Sequence, residues 1–114
     1  MENTQIKLNT FIDALEEKKA KNIIAIDIKK LTTIATYFVI ASGTSVTHIK
    51  SLADNLVDKL SENDIKPIRM EGYNFARWIL LDYGDVVVHI FHEEDREYYG
   101  LERLWQDGEI VSFN

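Results

Sequence analysis

Apolar positions recur along this chain in two periods. Leu8, Phe11, Ile12 and Leu15 fall three and four apart, which predicts an amphipathic helix over about residues 4–20, with Asn3 or Thr4 as N-cap. Val46, Ile49, Leu52, Ala53, Leu56, Val57 and Leu60 repeat that spacing and predict the clearest helix, capped by Thr44 or Ser45 and ended by Asn63-Asp64. Between them, residues 22–28 and 37–42 are apolar enough to predict strands buried on both faces. Ile65–Glu71 predicts a third strand, with Pro67 placing its start at an edge or outside the ladder. Gly72–Phe75 reads as a turn. Beyond residue 92, Glu93–Tyr99 and Leu101–Trp105 read as two helical turns separated by Gly100. The segment 106–114 reads as a loose tail, although Ile110, Val111 and Phe113 could dock or add an edge strand. The expected fold is one α/β domain over residues 1–114, a mixed five-stranded sheet with about three helices. The strand–helix–strand over 36–71 supplies a right-handed crossover and so one parallel pair.

The apolar runs Trp78–Leu81 and Val86–Phe91 flank Asp82-Tyr83-Gly84-Asp85 and predict a tight hairpin. Tyr83-Gly84 would form a two-residue turn, pairing Leu81 with Val86 and Trp78 with His89. Tyr83 suits such a turn poorly, so a slightly longer loop is also open. Alternation sorts the hairpin into two faces. Ile79, Leu81, Val86, Val88 and Ile90 form a wholly apolar set that belongs in a core. Trp78, Leu80, Val87 and His89 share the other face with Asp82 and Asp85 at its fringe. Two readings are open for that second face. It is a docking surface for a basic partner, or helices cover it and Trp78 is core.

The net charge of −6 and pI near 5.0 disfavour a nucleic-acid grip, since the basic residues are scattered and no basic patch forms. A basic protein surface is the electrostatically favoured partner. The absence of Cys excludes disulfides, thiol catalysis and thiolate metal sites. No apolar run approaches the ~20 residues of a membrane span. The N-terminal residues lack signal-peptide and transit-peptide character, so the expectation is a cytoplasmic protein without a membrane partner.

Candidate chemistry is sparse. Ser42-Gly43-Thr44-Ser45 lies between a strand and a helix start, where backbone N–H groups can bind an anion. It has one Gly and no following Lys, so a plain helix cap is the stronger reading. The loop is similar to the Gly-Ser element of nucleotidyltransferases. Those enzymes need two metal-holding carboxylates two residues apart on a neighbouring strand. Asp82 and Asp85 are three apart and flank a turn, so no catalytic metal site is expected. His89 and His92 would point to opposite faces, which argues against joint metal ligation and for a surface or interface role. His48 falls on the polar side of its helix, where a solvated residue is expected. The acidic run Glu93–Glu97 is either a helix start favoured by the dipole or an extension of the acidic fringe through Glu94.

Taken together, Thr36-Tyr37-Phe38-Val39-Ile40-Ala41-Ser42-Gly43-Thr44-Ser45, Glu71-Gly72, the run from Trp78 to Phe91, Arg96, Tyr99, Leu101-Glu102 and Leu104-Trp105 resemble the ribosomal silencing factor (Iojap-like) family. The resemblance covers about residues 5–107. Thr36 stands where the family often has Asp, and Gly100 where it usually has Asp or another polar residue. The resemblance implies a nucleotidyltransferase-like fold without a catalytic site or cofactor. It implies a translational repressor that binds the fourteenth protein of the large ribosomal subunit, blocks joining of the small subunit and lowers translation when nutrients are scarce. Relatives in mitochondria assist large-subunit assembly. On this reading Trp78 and Leu80 are apolar anchors supported by Val87 and His89. Asp82, Asp85 and Glu94 pair with basic groups of the partner, and Tyr83 adds an aromatic at the hairpin tip. Two rivals are a nucleotide-binding enzyme using the Gly43–Ser45 loop and a homodimer formed through the hairpin face.

Overall fold

The computed structural model describes residues 2–111. Helix α1 runs Glu2–Glu17, strand β1 Lys21–Asp27, strand β2 Tyr37–Gly43 and helix α2 Val46–Ser61. Strands β3 (Arg69–Glu71), β4 (Trp78–Asp82) and β5 (Val86–His92) follow, then the single-turn helices α3 (Arg96–Tyr99) and α4 (Leu101–Leu104) and a two-residue strand β6 (Glu109–Ile110). The sheet has six strands in the order β3-β4-β5-β2-β1-β6.

The sixth strand corrects the expected five. Glu109 and Ile110 pair antiparallel with Asp27 and Ile26, and the Val111 N–H donates to the Ala25 carbonyl at 2.8 Å. The tail is therefore docked there, while Phe113 lies outside the described residues. The parallel pair is also placed differently. β2 is hydrogen-bonded to β5, with Tyr37 against Val86 and Gly43 against His92, whereas β3 lies at the far edge. Both central strands are buried along their whole length, which is why they read as unbroken apolar runs. β3 begins two residues after Pro67, as the missing N–H of proline requires.

The hairpin register is slipped by two residues from the expected one. Trp78 pairs with Phe91, Leu80 with His89 and Asp82 with Val87. The Tyr83 N–H donates to Val86 O at 2.9 Å, so the central turn residues are Gly84-Asp85. Gly84 has φ of 87°, which a type II′ turn demands at its first central position, and Tyr83 is spared it. The Asp82 carboxylate accepts from the Gly84 N–H at 2.9 Å and braces the turn. A slip of two preserves which side chains share a face, whereas a slip of one would have inverted them.

α1 and α2 cover one face of the sheet. Leu8, Phe11, Ile12 and Leu15 of α1 and Ile49, Leu52, Ala53, Leu56 and Leu60 of α2 close over Ile79, Leu81, Val86, Val88 and Ile90. Ser45 caps α2 by accepting from the His48 N–H at 3.0 Å. His48 is not a solvated residue. Its Nδ1 accepts from the Thr44 N–H at 2.9 Å, and its Nε2 lies 2.8 Å from the Lys18 carbonyl, tying the end of α1 to the start of α2. Among the described residues no helix is long and apolar enough to cross a membrane.

Candidate functional site: the Trp78–Leu80 margin of the sheet

The second face is covered over only part of its width. Ile26, Ile28, Ala35, Phe38, Ile40, Val87 and Phe91 form a separate buried layer, roofed by Leu101 and Trp105. The Trp105 ring meets Phe38 edge-on at 5.1 Å. Two arginines pin this roof. Arg96, itself buried, donates from Nε and Nη2 to the Glu102 carboxylate at 2.8 and 3.2 Å, and from Nη1 to Ser42 Oγ at 2.9 Å. Arg77 donates from Nε and Nη2 to Asp95 at 2.6 and 3.0 Å, and this pairing holds the Asp95 carboxyl below the usual range.

The roof stops short of β4 and β3. At that margin Trp78 and Leu80 remain half-exposed, side by side on β4. Glu71 pairs with Leu80 across the β3–β4 ladder, and Glu71, Gly72, Trp78 and Leu80 line a shallow groove of about 240 Å³. Gly72 is required where β3 approaches Trp78. Its φ is 82°, and a Cβ there would lie 2.1 Å from the Trp78 carbonyl oxygen. Trp78 is set against Phe91 at 4.9 Å and Tyr99 at 4.7 Å. Tyr99 is 40% exposed and carries the aromatic surface onto α3.

Three of the residues expected to meet a partner point elsewhere. Val87 and His89 lie on the anticipated face but under the roof, with 7% and 4% exposure. Tyr83 is on the opposite face. Its ring packs edge-on against Phe11 at 4.9 Å, and its hydroxyl is buried without a partner among the described residues. Burial pushes that phenol up to about 12. The face is thus covered only in part: Val87 and His89 are core, while Trp78 and Leu80 are partly buried at its margin.

The acidic residues sit at its two ends. Asp82 continues β4 beyond Leu80, and the exposed Asp85 stands at the hairpin tip. Asp82 accepts from Arg69 Nε at 3.3 Å, and Arg69 Nη1 reaches Glu71 at 3.2 Å. Glu94 lies at the Trp78 end, 3.5 Å from Arg77 Nη2. These pairs are solvent-exposed on at least one side and hold the carboxylates only weakly. Glu71 was legible only as part of the Glu71-Gly72 motif. Its place beside Leu80 depends on the β3–β4 register.

The two parts that the enzymatic alternative invokes, the Gly43 loop and the Asp82–Asp85 pair, lie apart. At the α2 start the Thr44 and His48 amides are bonded to His48 Nδ1 and Ser45 Oγ. Gly43 aligns with His92 at one end of the sheet, while Asp82 and Asp85 lie at the other, about 20 Å away for six strand residues. No group of three His, Asp or Glu among the described residues is placed to hold a metal ion.

These features define a single α/β module with a roofed sheet and an aromatic margin. The family model described as "Ribosomal silencing factor during starvation" matches residues 1–114. The ribosomal silencing factor of Bacillus subtilis is 41% identical over 101 residues, spanning 89% of this chain and 86% of that protein. A crystal structure from Bacillus halodurans superposes with a TM-score of 0.86 at 38% identity, covering 96% of this chain and 99% of that one. The mouse protein named for mitochondrial assembly of the ribosomal large subunit is 30% identical over 101 residues, covering 86% of this chain and 44% of that protein. The chain belongs to the ribosomal silencing factor family.

Proposed function

We propose that this protein docks on the large ribosomal subunit through the Trp78–Leu80 margin, contacting the fourteenth ribosomal protein, and that its bulk keeps the small subunit from joining. It works in the cytoplasm by occlusion and not by catalysis. The observation that carries the reading is the half-exposed Trp78–Leu80 pair beside the Glu71 groove, with Asp82 and Glu94 at its ends. An aromatic anchor ringed by carboxylates complements a basic protein surface. Glu71, Asp82 and Glu94 are the acids best placed to meet Lys or Arg side chains, with Asp85 further out at the tip. Val87 and His89 act from below as support, and Tyr83 has no direct contact.

The test is co-sedimentation with purified large subunits, followed by challenge with small subunits. Trp78→Ala should weaken binding by roughly 2 kcal/mol if Trp78 is a central anchor. Because its ring also packs on Phe91 and Tyr99, the variant loses stability too, so Leu80→Glu at the same margin is the companion. Full binding by both folded variants would refute the docking face. Binding that leaves subunit joining unimpeded would instead favour a role in large-subunit assembly, the activity for which the mouse relative is named.

A further inference from the structure

His89 occupies the middle of β5, between Leu80 of β4 and Ile40 of β2. Its ring is walled by Phe38 at 4.8 Å and Phe91 at 6.3 Å. Its Nδ1 accepts from Trp78 Nε1–H at 3.1 Å. That assigns the proton to Nε2, which is buried and has no partner among the described residues. An orphaned buried donor costs about 1–3 kcal/mol, which a Leu or Phe at this position would avoid. The imidazole thus makes a layer of hydrocarbon less stable, and what it supplies in return is one acceptor, directed at the Trp78 indole.

We infer that His89 is a positioning residue for Trp78, fixing the indole so that its free edge is presented ready-oriented to the docking partner. The inference rests on the docking reading above. Tilted packing against Phe91 and Tyr99 confines the ring, while an indole turned over about its Cβ–Cγ bond could keep similar contacts. The directional N–H bond selects one of those attitudes. Freezing a side chain before encounter removes an ordering cost of about 0.5–1.5 kcal/mol from association.

The role separates folding from binding, and the signs are opposed. His89→Leu and His89→Phe should retain or raise the melting temperature, yet bind purified large subunits roughly threefold to tenfold more weakly. Trp78→Phe removes the donor. In the His89→Leu background it should cost less than it does alone, because the bond is already gone. In the unaltered protein the Trp78 indole N–H, identified by its loss in Trp78→Phe, should exchange slowly with deuterated solvent. A His89→Leu or His89→Phe protein that binds as tightly as wild type overturns the inference, as does a rapidly exchanging indole N–H. If Trp78→Ala and Leu80→Glu weaken binding while both His89 variants do not, the docking face stands and the positioning role falls. If none of the variants weakens binding, both fall.

Discussion

His89 gives the fold a pH dependence that can be isolated from every other group. Burial lowers its pKa from 6.5 to about 4, and the Trp78 N–H, which needs an unprotonated Nδ1, acts in the same direction. The unfolded chain therefore binds a proton between these values that the folded chain refuses. Stability is complete above about pH 6.5, falls as the pH drops toward 4, and loses nothing more through His89 below that. Over the whole window the loss is on the order of 3 kcal/mol, and by pH 5 about 2 kcal/mol has gone. The depressed carboxyls of Glu17, bonded to Asn55, and Asp95, bonded to Arg77, titrate lower, below the upper half of this window. Urea unfolding of wild type and His89→Phe at pH 7, 6 and 5 measures the difference directly. The wild type should lose about 2 kcal/mol more than the variant between pH 7 and 5. Parallel losses in the two proteins would refute the buried neutral imidazole.

Other outcomes follow from particular contacts. Tyr83→Phe removes a buried hydroxyl with no partner among the described residues while keeping the ring against Phe11, so it should be neutral or stabilise by up to about 1 kcal/mol, read by chemical denaturation. Gly72→Ala places a Cβ against the Trp78 carbonyl at φ of 82°, and should destabilise by about 1–3 kcal/mol and weaken large-subunit binding through the displaced groove. Ser42→Ala removes an acceptor from the buried Arg96 guanidinium, and should cost about 1–3 kcal/mol in the same denaturation assay.

What the sequence disclosed, and what it hid, follows the range of the interactions. α1 and α2 were legible because their apolar positions keep helical spacing, over about two turns in α1 and about four in α2. The division of the hairpin into two faces survived an error of register because that error was even. The turn was misplaced by the sequence reading: Gly84-Asp85 puts Gly84 at the position that needs positive φ and spares Tyr83, and Asp82 braces it. The layer that buries Val87 is packed by Leu101 and Trp105 from α4 and its C-cap, tied in by the Arg96–Glu102 pair, and His89 is walled by Phe38 and Phe91. Nothing local to β5 announces that roof. β6 is too short to show a period, and it exists because β1 offers an edge. The sequence left Trp78 open between surface and core, and both its intermediate burial and its bond to His89 required the β4–β5 alignment to be seen.

The parallel pairing of β2 with β5 bears on when this protein can exist as a folded object. Every partner across that central seam lies 49 residues further along the chain, and β6 must return from residue 109 to meet residue 27. β1 with β2 and β4 with β5 are local antiparallel pairs, but the seam that joins the two pairs is long-range. Loop closure over such spans delays the reward for ordering. A chain still under synthesis would hold β2 paired with β1 on one side and open on the other until β5 had emerged, and the outer β1 edge would stay open until β6 followed. The central seam is therefore the part of the sheet that must close late. Truncation before β5 would leave an aggregation-prone fragment with one edge of the apolar strand β2 open, not a smaller domain.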